Sequence, residues 1–552
     1  MTAHGQEACI FFCEIMLNKK VREPKYCWEM PKEDDFDFDL IGHYFKYKDQ
    51  SAVFQTIDAQ LANDIDLDEL FIYLDRTCFR IGQQYLYGRL HSIDMTSDFE
   101  EQETLIDDLT KNKSKWAKIQ SLLSKLNKSE TYHISNLFFE KFIPKPKWFW
   151  AVRILSVAGI ATLILALFFN KLFFILLLVI YAINMLFYFW NKNNIMIYSN
   201  SIPQLIPLCK AAKELVSMDL IPKSREKILS SVDSIDELKN QIRFFKLKTG
   251  VASDIAALVL FVWEAVNILF LIEPQIVFNV LGKLDRKRKD IRTLFEYVGE
   301  VDSISSIAAL RTNAPHYCIP ALSSAGETTL DFTDIYHPLI PDCVSNSLQT
   351  QGKSILLTGS NMSGKTTFIR TVALNVLLAQ TLNTCFAETF RLSQMRLFSA
   401  IRITDDLFSD KSYYFEEVLT VKKMINESSA GFKNIFLLDE IFKGTNTVER
   451  IAAGKAVLSY LIRSDNNIVF VSTHDIELAG LLKESYELYH FTELIREEKI
   501  HFDYKLKRGD LSTKNAIRIL EINDYPLEIV EEAREISTKL EYNNSISALK
   551  LS

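Results

Sequence analysis

Apolar residues recur at spacings of three and four along residues 57–126, and this period predicts amphipathic helices that pack on one face. The same helical period, with few turn signals, returns across residues 191–250. Residues 1–54 hold only a short apolar run and an acidic stretch, for which a solvated extension is the simplest interpretation. The pattern therefore predicts two sets of helices on either side of residues 148–190.

Residues 148–190 are almost continuously apolar. The first part, residues 148–169, contains one charge, Arg153, and the second, residues 172–190, contains none. Each part is long enough to cross a hydrocarbon core of about 30 Å, and residues 170–171 between them predict a tight turn. A hairpin buried in the protein core is the alternative, but soluble helices of this length usually keep a polar face. We therefore predict a transmembrane helical hairpin.

The charges and aromatic residues around the hairpin predict its orientation. Trp148 and Trp190 stand at its outer ends, where interfacial aromatic residues belong. Lysines outside the hairpin outnumber the one at its turn: Lys141, Lys145, Lys147 and Lys192 against Lys171. By the positive-inside rule both flanking segments face the cytoplasm, which predicts an integral protein of the cytoplasmic membrane, in contact with the lipid bilayer. The eight cysteines lack C-x-x-C pairing, and this favours reduced thiols in a cytosolic setting.

Two further segments leave alternatives open. The apolar run at residues 256–272 is interrupted by Glu264 and Asn267, so a buried or membrane-surface helix is favoured over a third crossing paired with residues 274–281. Residues 283–292 form the densest basic cluster, which is compatible with a phosphate-binding patch, a membrane-surface anchor or a solvated helix face. The net charge of −7 does not exclude nucleic acid, because binding depends on local basic patches.

Candidate chemistry first appears at residues 359–367, Gly-Ser-Asn-Met-Ser-Gly-Lys-Thr-Thr, directly after the apolar run 354–358. A strand, a glycine-rich loop and a helix in this order cradle phosphate groups with backbone amides and the helix N-terminus. Lys365 would reach the β- and γ-phosphates, and Thr366 would hold Mg²⁺. A chance match is the alternative, but the flanking strand and helix favour a P-loop NTPase. The predicted nucleotide-binding residues are Gly359, Ser360, Asn361, Met362, Ser363, Gly364, Lys365, Thr366 and Thr367.

Two later apolar segments end in polar residues that suit the same chemistry. Residues 434–440 place Asp439 and Glu440 after a short apolar run, and a buried parallel strand would deliver both carboxylates beside the loop. Asp439 would bind Mg²⁺ through water, and Glu440 would orient and deprotonate the attacking water. Residues 468–474 form a second such strand that ends in His474. A lone histidine is more often structural, but this position matches the histidine that senses the γ-phosphate in the ABC-type ATPase superfamily.

Short motifs distinguish among the branches of that superfamily. The Leu-Ser-Gly-Gly-Gln motif of ABC transporters is missing before residue 434. Residues 405–417 contain instead Asp-Asp-Leu-Phe-Ser-Asp-Lys-Ser-Tyr-Tyr-Phe-Glu-Glu, residues 444–447 are Gly-Thr-Asn-Thr, and residues 358–367 begin Thr-Gly-Ser-Asn-Met-Ser. These stretches resemble the elements Asp-Asp-Leu-x-x-Gly-x-Ser-Thr-Phe-x-x-Glu, Gly-Thr-Ser-Thr and Thr-Gly-Pro-Asn-Met-Gly-Gly-Lys-Ser-Thr of the MutS family, whose members are DNA mismatch repair ATPases.

The resemblance to the MutS family covers about residues 55–130 and 285–540. Leu74-Asp75-Arg76-Thr77 with Gly82, and residues 299–308, resemble the lever helices of that family. The resemblance implies an α + α/β fold, in which a helical lever domain is interrupted by the transmembrane hairpin and followed by a P-loop ABC-type ATPase domain. The predicted boundaries are residues 1–54 (N-terminal extension), 55–147 (first lever helices), 148–190 (hairpin), 191–325 (second lever helices) and 326–552 (ATPase domain).

The resemblance also implies a reaction and a second subunit. The reaction is ATP hydrolysis, with ATP and Mg²⁺ as the cofactors. The catalytic residues implied are Lys365, Glu440 and His474, and the residues implied to hold Mg²⁺ are Thr366 and Asp439. Ser412, by alignment with the family motif, would reach the γ-phosphate of the opposite subunit. We therefore expect a homodimer with composite ATP sites.

Some features depart from the family pattern. Ser363 replaces a glycine, which the loop tolerates if its φ stays negative, and Asp410 replaces the glycine of the 405–417 motif. The hairpin occupies the place of the family's DNA clamp, and no room precedes residue 55 for its mismatch-reading domain, which argues against mismatch recognition. We expect a membrane-anchored, ATP-driven dimeric switch that binds DNA. The alternatives are a motor acting on a membrane or protein partner without DNA, and a nucleotide-gated scaffold with little turnover.

Overall fold

The computed structural model describes residues 32, 34–94, 99–246, 264–323, 326, 328–360, 362–402, 413–496, 499–509, 516–523 and 525–549. The chain divides into two compact units. The helical unit comprises residues 1–52, 71–91 and 98–313, and the sheet unit comprises residues 53–70, 92–97 and 314–552. Helices and sheets are therefore both present, as the predicted α + α/β class requires.

The elements follow one another along the chain as alternating helical and strand-rich stretches. The helices are α1 (Phe38–Ile41), α2 (His43–Tyr47), α3 (Ala59–Asp64), α4 (Leu67–Leu74), α5 (Arg80–Leu90), α6 (Glu100–Lys111), α7 (Lys113–Ser124), α8 (Asn136–Phe139), α9 (Trp150–Phe168), α10 (Phe173–Ser199), α11 (Leu205–Ser217), α12 (Arg225–Asp236), α13 (Lys239–Lys246), α14 (Glu264–Phe270), α15 (Ile272–Arg286), α16 (Arg288–Asn313), α17 (Lys365–Thr381), α18 (Tyr413–Ser428), α19 (Thr447–Leu461), α20 (Ile476–Leu482), α21 (Ala516–Ile522) and α22 (Leu527–Leu549). The strands are β1 (Val53–Thr56), β2 (Ser92–Asp94), β3 (Ala321–Leu322), β4 (Leu330–Ile335), β5 (Asn346–Gln349), β6 (Ile355–Thr358), β7 (Thr389–Leu392), β8 (Arg396–Ala400), β9 (Asn434–Asp439), β10 (Asn467–Ser472), β11 (Glu487–His490), β12 (Glu493–Arg496), β13 (Lys499–Phe502) and β14 (Lys507–Arg508).

The core of the helical unit is built around the long helix α16, whose side chains are buried over most of its length. Helix α5 lies against it at a very short distance. A Cβ atom at Gly82 would lie 2.0 Å from Oδ2 of Asp302, and one at Gly299 would lie 2.8 Å from Cβ of Tyr85. Glycine at these two positions therefore allows the close approach of the two helices.

The Leu74-Asp75-Arg76-Thr77 stretch forms the start of this packing. Oδ1 of Asp75 accepts hydrogen bonds from the backbone N–H of Thr77 at 2.9 Å and from its hydroxyl at 2.5 Å. The backbone N–H of Arg76 donates to Oγ of Ser306 on α16 at 2.8 Å. These polar groups are buried and hydrogen-bonded, so the residues that resemble the family's lever motif have a structural role here.

Helices α9 and α10 form the predicted apolar hairpin. Residues Lys147–Phe168 and Phe173–Lys192 are long and apolar enough to cross a membrane. In an apolar 18-residue stretch of each, only 22% and 17% of the residues are buried within the protein. Large side chains such as Phe168 and Leu186 are 79% and 73% exposed. By length and composition both helices are candidate spans, and the crossing itself stays a prediction.

The described part of the third apolar run packs against this hairpin. Helix α14 meets α15 at an angle of 74°, and Leu271 at the bend has a left-handed φ of 48°. Side chains from both hairpin helices reach the carbonyl groups at the bend: Ser156 donates to Phe270 at 2.7 Å and Asn184 donates to Leu269 at 2.7 Å. Taken together, the two bent helices are also long and apolar enough to cross a membrane, so a third crossing remains an open alternative. Residues 256–263 of the run lie outside the described residues.

Ion pairs within the helical unit engage several cations of the basic cluster at residues 283–292. Nζ of Lys287 lies 2.7 Å from Glu237, Nε of Arg288 lies 2.8 Å from Asp285, and Nε of Arg292 lies 2.8 Å from Glu296. Arg288 also lies over the ring of Phe142, with its guanidinium carbon 4.7 Å from the ring centroid. These contacts favour the solvated-face interpretation among the three alternatives.

The sheet unit contains a six-stranded sheet in the order β14-β11-β6-β10-β9-β8. All neighbouring strands are parallel except β14, which pairs antiparallel with β11. Strands β6 and β10 are buried at every position and β9 at all but its last, which explains their continuous apolar sequence. A second sheet has the order β3-β7-β4-β5. The central parallel strands all end at the same edge, and this edge carries the candidate site.

Candidate functional site

The loop between β6 and α17 has the backbone that its glycines permit. Gly359 has a φ of 149° and Gly364 a φ of 106°, in the region that disfavours other residues. A Cβ at Gly359 would lie 2.8 Å from the carbonyl oxygen of Phe491. Ser363 is not among the described residues with positive φ, so it meets the condition under which this loop tolerates a serine. Its hydroxyl donates to the carbonyl oxygen of Ser360 at 2.8 Å.

Lys365 begins helix α17 and points back into the loop. Its Nζ donates to the carbonyl oxygens of Gly359 at 2.9 Å and Ser360 at 2.8 Å. Burial lowers the pKa of the lysine to about 8, against the opposing effect of the carboxylates of Asp439 and Glu440. The ammonium group is therefore mostly charged at neutral pH and lies where phosphate oxygens would approach the loop.

Thr366 and Asp439 form the part of the site that suits a divalent cation. The Thr366 hydroxyl donates to Oδ2 of Asp439 at 2.6 Å, and the Ser472 hydroxyl donates to the other carboxylate oxygen. A hydroxyl beside a carboxylate fits Mg²⁺, which uses few protein ligands and completes its shell with water and phosphate oxygens. In the described part of the chain no group of three or more His, Cys, Asp or Glu residues forms a protein-only metal site.

Glu440 lies between two basic side chains. One carboxylate oxygen is 2.5 Å from Nε2 of His474 and the other is 2.5 Å from Nζ of Lys443. The hydrogen bond from His474, supported by Lys443, lowers the pKa of Glu440 to about 2 although burial opposes the shift. The carboxylate is thus ionised at neutral pH. Its backbone φ of 52° is left-handed, a strained conformation that is frequent at functional sites.

A cavity of about 520 Å³ opens beside these residues, which is within the size range of small-molecule sites. Its polar lining residues include Lys365, Thr366 and Glu440. Its apolar and aromatic lining residues include Ile340, Val344, Phe491 and Tyr504. Polar groups that suit phosphates and apolar groups that suit a planar base are the two kinds of contact that a nucleotide needs.

The structure brings together most of the residues predicted from the motifs. Lys365, Thr366, Asp439, Glu440 and His474 meet at the ends of β6, β9 and β10. Gly364, Thr367 and the exposed Met362 also line the cavity, whereas Asn361 and Ser412 lie outside the described residues. The roles assigned to all these residues stay predictions.

Three residues of the site were not among the predicted site residues. Lys443 binds Glu440, and Tyr504 closes the cavity from a distant part of the chain. Glu493 accepts a hydrogen bond from the hydroxyl of Ser360 and is largely buried. Only Lys443 had a signal in the sequence, since it follows Glu440 by three residues within the same loop.

Fold and site together define the class: an α/β domain in which a parallel sheet carries a glycine-rich loop and two carboxylates at one edge. The family model of MutS domain V matches residues 355–541, the part of the chain that carries this loop and these carboxylates. This match confirms, over residues 355–541, the resemblance to the MutS family found in the motifs.

Bacterial relatives show the extent of this kinship. The chain is 29% identical to the DNA mismatch repair protein MutS of Brevibacillus brevis over 296 residues, which are 51% of this chain and 34% of that protein. It is 30% identical to the protein of the same name from Listeria innocua over 286 residues, 50% of this chain and 32% of the relative. For Pseudothermotoga lettingae the identity is 31% over 275 residues, 48% and 33% of the two chains. The chain thus spans about a third of the length of the curated relatives it matches.

Proposed function

We propose that this protein binds and hydrolyses ATP, giving ADP and phosphate, as a MutS-like switch. The observation that carries the proposal is the meeting of Lys365, Thr366, Asp439, Glu440 and His474 at one edge of a parallel sheet, beside a cavity of about 520 Å³. The match of residues 355–541 to MutS domain V supports the same reaction.

Each residue of the candidate site has a separate role in the proposed reaction. Lys365 and the loop amides would hold the β- and γ-phosphates, and Thr366 and Asp439 would hold Mg²⁺, which would neutralise phosphate charge. Glu440 orients a water molecule and accepts its proton. His474 donates to Glu440, and it would turn this N–H to the γ-phosphate, so nucleotide binding would release the carboxylate for catalysis.

The test of this mechanism is the Glu440→Gln variant. Loss of a general base usually lowers the rate by about 10²- to 10⁴-fold, so kcat should fall by that factor while ATP binding is retained. Glu449→Gln is the matched control, since Glu449 lies in the exposed first turn of α19 and its carboxylate accepts a hydrogen bond from the Thr445 hydroxyl at 3.2 Å. Turnover is measured by phosphate release and binding with a fluorescent ATP analogue. Unchanged turnover in Glu440→Gln would remove Glu440 from the mechanism.

We further propose a homodimer with composite sites, in which Ser412 of one subunit completes the site that holds Lys365 of the other. The support is the 405–417 motif and the match of residues 355–541 to MutS domain V. Equal amounts of Lys365→Ala and Ser412→Ala chains, each inactive alone, would form mixed dimers with one intact site. About a quarter of the wild-type activity should return on mixing, because half of the dimers are mixed and each has one working site. If Ser412 acted within its own subunit, mixing would restore nothing.

The hairpin α9–α10 is proposed to cross the cytoplasmic membrane, with the sheet unit in the cytoplasm. Its exposed apolar side chains support this, because a continuous apolar surface of this size is unfavourable in water. A cysteine at Lys171, in the turn, should react with a membrane-impermeant maleimide added outside intact bacterial cells. A cysteine at the exposed Lys111 should react only after lysis. Equal protection of both positions would contradict the crossing.

DNA is the first candidate for the partner of this switch, since the relatives are named as DNA mismatch repair proteins. The second candidate is a membrane or protein partner without DNA, which the ion-paired state of Lys287, Arg288 and Arg292 favours. Binding of labelled duplex DNA should fall steeply with salt and weaken in an Arg286→Ala, Lys289→Ala chain if DNA is the partner. No binding at low salt would leave the second candidate.

A further inference from the structure

Residues 53–66 contact the edge of the six-stranded sheet although they lie about 340 positions away in the sequence. The side chain of Gln55 donates to the carbonyl oxygen of Leu397 at 2.6 Å and accepts from its N–H at 2.8 Å. Leu397 belongs to β8, the edge strand, whose outer backbone groups would otherwise lack partners within the sheet. Both segments belong to the same compact unit. Gln55 therefore acts as a substitute for a neighbouring strand.

Asp64 holds the chain just beyond this strand. Its carboxylate is fully buried and accepts from the backbone N–H groups of Ile401 at 3.1 Å and Arg402 at 2.7 Å. The side chain of Gln60 donates to the same carboxylate at 3.1 Å and to the carbonyl oxygen of Arg402 at 2.9 Å. Side chains of helix α3 thus hold the backbone at the end of β8 in place.

Asp66 joins this strand end to the helix of the phosphate loop. Its carboxylate accepts from both terminal nitrogens of Arg402, one of them at 3.0 Å, and from Nη1 of Arg370 at 3.1 Å. Arg370 lies on α17, which begins with Lys365 and Thr366. The backbone of Asp66 is left-handed, with a φ of 53°, which few residues other than glycine adopt. An aspartate in this conformation is strained, and the bonds to the two arginines hold it in place.

Asp66 forms ion pairs with both guanidinium groups. Burial lowers the pKa of Arg370, and the neighbouring charge of Arg402 lowers it further, whereas the carboxylates of Asp66, Asp64 and Asp439 oppose both effects. Without the carboxylate, two like charges would lie close together in a half-buried place, and the helix and the strand end would separate. A neutral amide at this position keeps the shape of the side chain but loses the charge.

We propose that Asp66 is a positioning residue for ATP hydrolysis, one that keeps α17 and the end of β8 in a fixed relation. The inference rests on the proposed ATPase function. It concerns turnover and not nucleotide affinity, because the side-chain hydrogen bonds of Asp66 go to Arg370 and Arg402 and, within the described residues, not to the loop amides or Lys365, which would hold the phosphates. Arg402 directly precedes residues 403–412 in the sequence, the stretch whose motif is predicted to serve the opposite subunit.

The test compares Asp66→Asn, Asp66→Glu and the control Asp58→Asn in the full-length chain. Asp58 also pairs with a basic side chain, Lys423 at 2.6 Å, but at an exposed place, and asparagine replaces it equally well as the cap of α3. We expect Asp66→Asn to lower kcat at least about tenfold with the Kd for ATP within about threefold. Asp66→Glu should recover part of kcat, and Asp58→Asn should match the wild type.

A double-mutant cycle with Arg402→Gln adds a readout that general loss of stability would not give. If Asp66 acts through Arg402, the combined variant should lose little more activity than Asp66→Asn alone. Loss of ATP affinity in parallel with kcat, or a normal kcat in Asp66→Asn, would overturn the inference while leaving the ATPase proposal intact. If Asp66→Asn does not fold, Arg402→Gln alone must show the same fall in kcat at unchanged Kd. A wild-type chain without ATPase activity would instead refute the proposed function.

Discussion

Replacing Gly82 by alanine should destabilise the helical unit, although alanine is a better helix former than glycine. Gly82 lies within α5, where that helix meets α16. An added Cβ atom would lie 2.0 Å from Oδ2, 2.6 Å from Cγ and 2.8 Å from Cβ of Asp302. These distances are shorter than atoms in contact allow, so Asp302 or the whole of α5 must move.

The size of the effect follows from what Asp302 binds. Its carboxylate is fully buried and accepts from the N–H of Cys78 at 3.0 Å and of Phe79 at 3.3 Å, at the start of α5. A buried donor left without its acceptor costs about 1–3 kcal/mol, and there are two. The better helix propensity of alanine offsets up to about 1 kcal/mol of this. The net loss is therefore about 3 kcal/mol, a large part of the total stability of a typical domain.

Thermal unfolding of the detergent-solubilised chain, followed by tryptophan fluorescence, measures this loss. Trp116 is a suitable probe because it is buried in the helical unit and donates to Ser305 on α16 at 2.7 Å. The matched control is Gly282→Ala on α15, where an added Cβ meets no atom within 4 Å. The control should be neutral or slightly stabilised, whereas Gly82→Ala should unfold at a lower temperature.

Two results would refute this reasoning. Equal unfolding temperatures for Gly82→Ala and Gly282→Ala would show that the short approach of α5 to α16 has no energetic consequence. In a background carrying Asp302→Ala, the Gly82 substitution should cost much less, because the clashing carboxylate is gone. If the losses of stability caused by Gly82→Ala and Asp302→Ala were fully additive, the clash between the two residues would not be the cause of the destabilisation.

Three further predictions concern protons and the phosphate loop. Burial lowers the pKa of Lys365 to about 8, and bound phosphates would raise this pKa, so ATP binding at pH 8 should take up protons. Calorimetry in buffers of different ionisation enthalpy measures the proton uptake, and Lys365→Met should abolish the uptake. Burial lowers the pKa of His91 from 6.5 to about 4. The neutral side chain therefore contributes its full stability above pH 6.5, and the folded protein loses at most about 3 kcal/mol of stability as the pH falls towards 4. The free energy of unfolding, measured across this pH range, should depend less on acid in His91→Gln. Ser363→Gly removes the bond to Ser360 at 2.8 Å and should lower stability by about 1 kcal/mol while ATP affinity changes less than about threefold, which binding and unfolding assays compare.

Local features of the candidate site were predictable because they depend on a few consecutive residues. The glycines at 359 and 364 permit the loop, and the apolar runs before Asp439 and His474 predict the strands that bring these side chains to one edge. Tyr504 and Glu493 were not predictable in this way. They reach the site from distant positions, and nothing in their neighbouring residues indicates where the chain folds back.

The sequence by itself determined the order of the candidate site motifs along the chain and the length of the apolar hairpin. Periodicity, glycine content and hydrophobicity are properties of contiguous residues. Only the tertiary structure decided which long-range partners these segments have. It places Asp66 between Arg370 and Arg402, sets Gly82 against Asp302, and bends the chain at Leu271 beside the hairpin. Such contacts join residues that are from 85 to 336 positions apart, so packing and charge compensation in the folded state select them, and no local pattern records that choice.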